Sequence, residues 1–382
     1  MKAPLRGRKG RKALLVLEDG SSFSGYGFGA TKKVAGEVVF STGMVGYTEA
    51  LTDPSYYGQI LTLTYPLVGN YGVPKASSGT GIPPLCFESE GIKVRGLVLQ
   101  NLCRSPSHWA SSRTLHDWLL EEEVPGIYGI DTRQLTKKLR EKGVMLGVLE
   151  VCDDGKEPDA DSLRKDAANI LDPNQTDLVK MVTVKQPISY PSASRGRRAV
   201  VIDCGVKAGI LRCLLNRGFE VTRVPYDFEI GDLAELKPNL LIVSNGPGDP
   251  RLCAPTIELV RSLIEMRIPT LGICLGNQIV ALSQGATSYK LKYGHRSQNQ
   301  PALDLETGRC YITTQNHGYA IEASSLERTG LKVSFLNAND KTVEGVAHPK
   351  LPCLGVQFHP EASPGPQDTE FLFDKFLSLG GR

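Results

Sequence analysis

The chain has 382 residues, 41% hydrophobic and 22% charged, too long for one core and suited to two soluble domains. Its net charge is +3, but six bases (Lys2, Arg6, Arg8, Lys9, Arg11 and Lys12) fall in the first twelve residues. The remainder is therefore net acidic, which excludes an electrostatic nucleic-acid binder. No apolar run approaches the roughly 18 to 20 residues that span a bilayer, and Ala13 to Leu17 meets Glu18 and Asp19 too soon for a signal-peptide core.

In chain order, residues 1–12 form a basic tail, read as a solvated extension, with a docking arm or an organelle presequence as alternatives. Residues 13–184 read as a mixed α+β domain. Ala13 to Leu17, Glu37 to Phe40, Gln59 to Leu63 and Val94 to Leu99 have strand character, and Leu115 to Glu122 and Gln134 to Lys142 have helical spacing. The glycine-rich stretch Gly25 to Gly29 reads as a turn, and no G-x-x-x-x-G-K-[ST] phosphate loop occurs. Residues 185–197, with prolines, serines and a basic end, read as a linker.

Residues 198–382 alternate strands and helices. The strands are Ala199 to Ile202, Glu220 to Val224, Leu240 to Val243 and Thr270 to Ile273. The helices include Ile210 to Leu215, Pro255 to Met266 and Leu275 to about Gln284. Such alternation with continuous apolar strands predicts a doubly wound, mostly parallel α/β sheet covered on both faces. Ligand chemistry in such sheets collects at the carboxyl ends of the strands. The tail of this half adds strands at Tyr311 to Thr314, Val333 to Leu336, Val343 to Ala347 and Leu354 to Phe358, then a helix from about Asp368 to Leu379.

The nine cysteines are scattered without a Cys-x-x-Cys, and the six histidines show no metal-ligand spacing. No metal site and a reducing cytoplasm are expected. One cysteine stands apart. Gly272-Ile273-Cys274-Leu275-Gly276 joins a buried strand to a helix, with sulfur in the place of the nucleophile-elbow serine. Flanking glycines permit the sharp turn, and the helix N-terminus favours negative charge on sulfur. Phe358-His359-Pro360-Glu361 follows another strand. There His359 can act as general base toward the thiol, and Glu361 can hold its second ring nitrogen. Ser244 to Pro250 (SNGPGDP) follows Leu240 to Val243, where backbone amides could cradle an oxyanion or simply form a tight turn.

These blocks together resemble the class I (triad) glutamine amidotransferase family over residues 198–382. The resemblance implies Cys274 as nucleophile, His359 and Glu361 as its triad partners, and Leu275 and Gly246 as oxyanion donors. It implies hydrolysis of L-glutamine to glutamate and ammonia through a thioester, with no cofactor. In the first half, Gly36 to Phe40, Gly46 to Glu49, Leu51 to Tyr56, Tyr65 to Gly72 and Gly129 to Arg133 resemble the carbamoyl-phosphate synthetase small-subunit N-terminal domain. Asp203 to Lys207 and Gln315 to Tyr319 are similar to the same branch. That branch implies that Ser55, Gly248, Gln278, Asn316, Gly318 and Tyr319 hold glutamine, with Ser55 reaching across from the first domain. It also implies a heterodimeric partner, a large synthetase subunit using ATP, Mg and bicarbonate, in arginine or pyrimidine biosynthesis.

One departure is Asn277, where many family members carry histidine; it bears on rate rather than on the triad. The alternatives are an amidotransferase of another pathway, a non-catalytic regulatory subunit, or a free peptidase. The first half argues against the first and last, and the intact triad against the second.

Overall fold

A computed structural model describes residues 10–75, 82, 85–192 and 196–379. Of the basic tail, residues 1–9 lie outside these. Packing divides the chain into two compact units. The first is built from described residues up to Tyr47, of Gly58–Lys75 and of Gly91–Pro173; the second from those of Thr48–Tyr57, Ala76–Glu90 and Asn174–Arg382.

The first unit contains β1 (Lys12–Leu17), β2 (Ser22–Gly29), β3 (Lys33–Ser41), β4 (Gln59–Leu63), β5 (Leu67–Val68), β6 (Gly96–Leu99), β7 (Asn101–Leu102), β8 (Pro125–Tyr128) and β9 (Met145–Val151). Seven of them close a barrel in the order β1-β2-β8-β6-β4-β3-β9, and β5 pairs with β7 apart from it. Closure removes the exposed edges that an open sheet would present. The Thr114 hydroxyl caps helix Leu115–Glu121 and the Asp131 carboxylate caps Thr132–Lys142, each accepting a backbone N–H of the first turn. Gly25 to Gly29 is not a turn: it lies inside β2. A Cβ on Gly25 would come 2.5 Å from the Tyr128 carbonyl oxygen, so glycine there serves close approach of strands.

The second unit contains β10 (Ile188–Tyr190), β11 (Arg198–Asp203), β12 (Glu220–Pro225), β13 (Leu240–Val243), β14 (Thr270–Ile273), β15 (Ser288–Asp304), β16 (Cys310–Ile321), β17 (Lys332–Asn337), β18 (Val343–Ala347) and β19 (Cys353–Val356). They form one sheet, ordered β10-β12-β11-β13-β14-β19-β18-β16-β15-β17. The run from β12 to β19 is parallel, and antiparallel strands extend it on both sides. Helices Ala254–Glu265 and Leu275–Ser283 cover one face through Leu259, Leu263 and Ile279; helices Ala208–Asn216 and Phe371–Leu379 cover the other through Ile210, Leu214, Phe373 and Phe376. This is the doubly wound arrangement expected for a sheet of continuous apolar strands. Within the segment read as a linker, Ile188–Tyr190 is an edge strand pairing antiparallel with β12, and Tyr190 is buried. No helix among the described residues is long and apolar enough to cross a membrane.

Candidate active site

The turn from β14 into helix Leu275–Ser283 carries Cys274 at φ 55° and ψ −105°, a conformation L-residues rarely hold. The glycines on either side are there for space. A Cβ on Gly272 would meet the Gly276 carbonyl oxygen at 2.4 Å, and one on Gly276 would meet that of Val243 at 1.9 Å. The backbone at 246 is as close-fitting: a Cβ there would lie 2.0 Å from the Cys204 carbonyl oxygen and 2.8 Å from the Leu275 side chain. Gly246 and Leu275 are thus neighbours beside the cysteine.

Where β19 ends, His359 and Glu361 are buried together, and His359 Nδ1–H donates to Glu361 Oε1 at 2.7 Å. Lys207 Nζ donates to the same oxygen at 2.8 Å and to the Ser363 carbonyl at 3.1 Å. Burial favours the neutral imidazole, but the Glu361 carboxylate outweighs it and raises His359 to about 10. Burial likewise favours the neutral acid at Glu361; the adjacent Lys207 and His359 charges overcome it and hold the carboxyl well below its ordinary range. His359 Nε2 is buried without a hydrogen-bond partner among the described residues, and the Cys274 sulfur is near enough to favour the charged ring. Cys274 Sγ lies 3.6 Å from both the Asn316 carbonyl oxygen and Gln357 Nε2.

Other residues singled out from the sequence gather around this centre. Gln278 Nε2 donates to the Tyr319 carbonyl at 2.8 Å, and Asn316 Nδ2 donates to Asp53 at 2.9 Å. Asn245, next to Gly246, donates to the Ser55 hydroxyl at 2.9 Å. Ser55 does not reach in from the first unit: Thr48–Tyr57 packs as part of the second, and the Asp53 carboxylate, accepting the Ser55 N–H, caps its turn. Gly318 lies under the Arg296 guanidinium, whose NH2 group would be 3.3 Å from a Cβ there. Gly248, two residues beyond Gly246, takes φ 84° and faces the Leu178 side chain. Asn277 is buried and donates to Gln357 Oε1 at 3.3 Å.

The sequence reading quoted Lys207, Asp53 and Asn245 within longer motifs but gave them no role, and gave none to Gln357. Only their place at strand ends or in turns hinted at them, and short polar residues are common there for turn chemistry alone. It also missed a clustering of His295, His317 and Glu344, the group of possible metal ligands that comes together among the described residues. The two histidines are paired in register across β15 and β16, which chain spacing does not reveal. Their ring nitrogens already face Gln315, Asp340 and the Tyr319 carbonyl.

Residues 200–379 match the family described as glutamine amidotransferase class-I, and residues 15–149 match the carbamoyl-phosphate synthase small chain CPSase domain. The carbamoyl phosphate synthase small chain of Methanocaldococcus jannaschii is 46% identical over 371 residues, covering 97% of this chain and 99% of that one. The Pyrococcus furiosus protein of the same name is 47% identical, covering 97% and 98%. That of Archaeoglobus fulgidus is 46% identical, covering 96% and 98%. Similarity at this level spans nearly the whole chain, and the chain belongs to the carbamoyl phosphate synthase small chain family.

Proposed function

We propose that this chain hydrolyses L-glutamine to glutamate and ammonia as the glutaminase subunit of a carbamoyl-phosphate synthetase. The observation that carries the reading is Cys274 on a strained strand-to-helix turn, beside a buried His359–Glu361 pair whose Nε2 has no other partner. The thiol proton is already on His359 Nε2 when Cys274 Sγ attacks the side-chain amide carbon, in keeping with the raised basicity of that ring. The Glu361 carboxylate favours the imidazolium that results. The amides of Leu275 and Gly246 receive the oxyanion. His359 then gives its proton to the leaving nitrogen, which departs as ammonia. Water opens the thioester, with His359 taking its proton and returning one to sulfur. Ser55, Gly248, Gln278, Asn316, Gly318 and Tyr319 hold the substrate's polar groups. Every step uses side chains and backbone amides of this protein together with water, so the hydrolysis needs no metal or organic cofactor.

The ammonia passes to a large synthetase subunit, where ATP, Mg and bicarbonate are used. The nine free cysteines support a reducing cytoplasm. A glutamine-like electrophile is expected to label Cys274, and Cys274→Ser to abolish both labelling and hydrolysis while the fold persists. Glutamate release should rise when a carbamoyl-phosphate synthetase large subunit, ATP and bicarbonate are added, with carbamoyl phosphate formed from glutamine. An unchanged rate and no carbamoyl phosphate would leave a stand-alone glutaminase. Full hydrolysis by Cys274→Ser would remove the nucleophile assignment.

A further inference from the structure

Between β19 and His359 the chain places Gln357, whose side chain is fully buried. Its backbone N–H donates to the Glu344 carbonyl at 2.8 Å, which fixes where the side chain begins. Its Oε1 accepts from Gln278 Nε2 at 3.0 Å and from Asn277 Nδ2 at 3.3 Å. Gln278 is itself held by the Tyr319 carbonyl, so its Nε2 cannot be exchanged for its oxygen without setting two acceptors together. The donor of Gln357 therefore faces the other way, toward Cys274 Sγ at 3.6 Å.

Beside His359, the two further polar contacts on the sulfur are opposite in kind. The Asn316 carbonyl, also at 3.6 Å, can only accept and so favours the S–H form. The Gln357 amide N–H can only donate, and such a bond strengthens when its acceptor becomes charged. Asn277 adds a second anchor on Oε1. Its own oxygen has no partner among the described residues, and a Cβ at Gly355 would lie 2.3 Å from it, so glycine opposite leaves room for this side chain.

We propose that Gln357 is a further catalytic residue of the hydrolysis. Its amide N–H holds the Cys274 sulfur while it carries charge, and its oxygen ties that sulfur to Gln278 in the substrate pocket. Gln357 neither gains nor loses a proton: the thiol proton goes to His359 and the new bond is from sulfur to the amide carbon. The inference rests on Cys274 being the nucleophile.

The test compares Gln357→Glu, of the same shape but with a carboxylate facing the sulfur, and Gln357→Leu with the full-length chain. Glutamine hydrolysis is measured beside alkylation of Cys274 by iodoacetamide, which is small enough not to need the substrate pocket, and thermal melting confirms folding. Loss of one hydrogen bond to a charged group predicts that kcat and the alkylation rate fall together by about 10- to 100-fold. KM for glutamine should change by less than about 3-fold. Unchanged alkylation in a folded variant, or a rise in KM alone, would overturn the role; should the Glu variant not fold, the Leu variant decides. Hydrolysis surviving Cys274→Ser would instead overturn the reading beneath it.

Discussion

At the scale of single residues, Glu361 meets two cations with one oxygen, accepting from His359 and Lys207, while its Oε2 stays without a hydrogen bond among the described residues. Such a buried charge cluster is costly to break from one side, because the remaining charges stay buried. Glu361→Gln keeps a hydrogen bond to the imidazole but drops the charge, so hydrolysis should fall less than in His359→Ala. The stability effect has a sign in pH. The His359 pKa is raised from 6.5 to about 10, so its contribution is complete below about 6.5 and is lost as pH rises toward 10. That of Glu361 is lowered from 4.5, so its contribution is complete above about 4.5 and is lost as pH falls. The advantage of the native chain over Glu361→Gln should therefore be larger in urea unfolding at pH 5.5 than at pH 9.5; equal advantages would show that the pair is not charged. The triad residues stood out in the sequence because elbow and His-x-Glu spacing are local patterns. Lys207 and Gln357 did not, because what they do depends on which strand end the fold sets opposite them.

Among the elements, the turn at Cys274 leaves no room for a side chain on its two glycines. Gly276→Ala would drive a methyl into the Val243 carbonyl, at 1.9 Å, and overpacking of that kind costs about 3 kcal/mol. A drop of that size in urea-unfolding free energy, with slower glutamate release, is expected; native stability would mean the turn relaxes freely. The strands of the parallel run were legible because burial on both faces makes them continuously apolar, as in Leu240–Val243. The strand β15 was not. Its sequence, SYKLKYGHRSQNQPALD, alternates only from Tyr289 to Tyr293 and then loses any pattern, and register shifts against β16 break it between Lys290 and His295 and between Ser297 and Gln300. Pairing with β16 holds it extended where pattern would not. In β2 the glycines that let strands approach looked instead like a turn, which is the commoner use of such a sequence.

In the whole molecule the two units are interleaved along the chain, which leaves the first unit at Thr48, returns at Gly58, and returns again at Gly91. The loans are specific. Ser55 accepts from Asn245 and Asp53 from Asn316, while Glu88 accepts from the Gly209 N–H at 2.9 Å and from Arg212 at 3.1 Å. Composition and the proline-rich stretch at 185–197 pointed to two halves, but not to this borrowing, since nothing in a short polar segment announces a partner 121 to 263 residues away. Residues 198–382 expressed alone should consequently be less stable than the same unit in the full chain and release no measurable glutamate, by urea unfolding and a glutamate assay. A fragment with full activity would show the borrowed segments to be dispensable. Order of synthesis gives the arrangement a further meaning. At about 5 to 20 residues per second, Asn316 leaves the ribosome tens of seconds after Asp53. For that interval the Asp53 carboxylate lacks its Asn316 donor, and for the earlier part of it Ser55 also lacks Asn245. The barrel strands on either side, β3 and β4, can already pair with each other, so the emerging protein holds an unfilled loop until the sheet that captures it has been made.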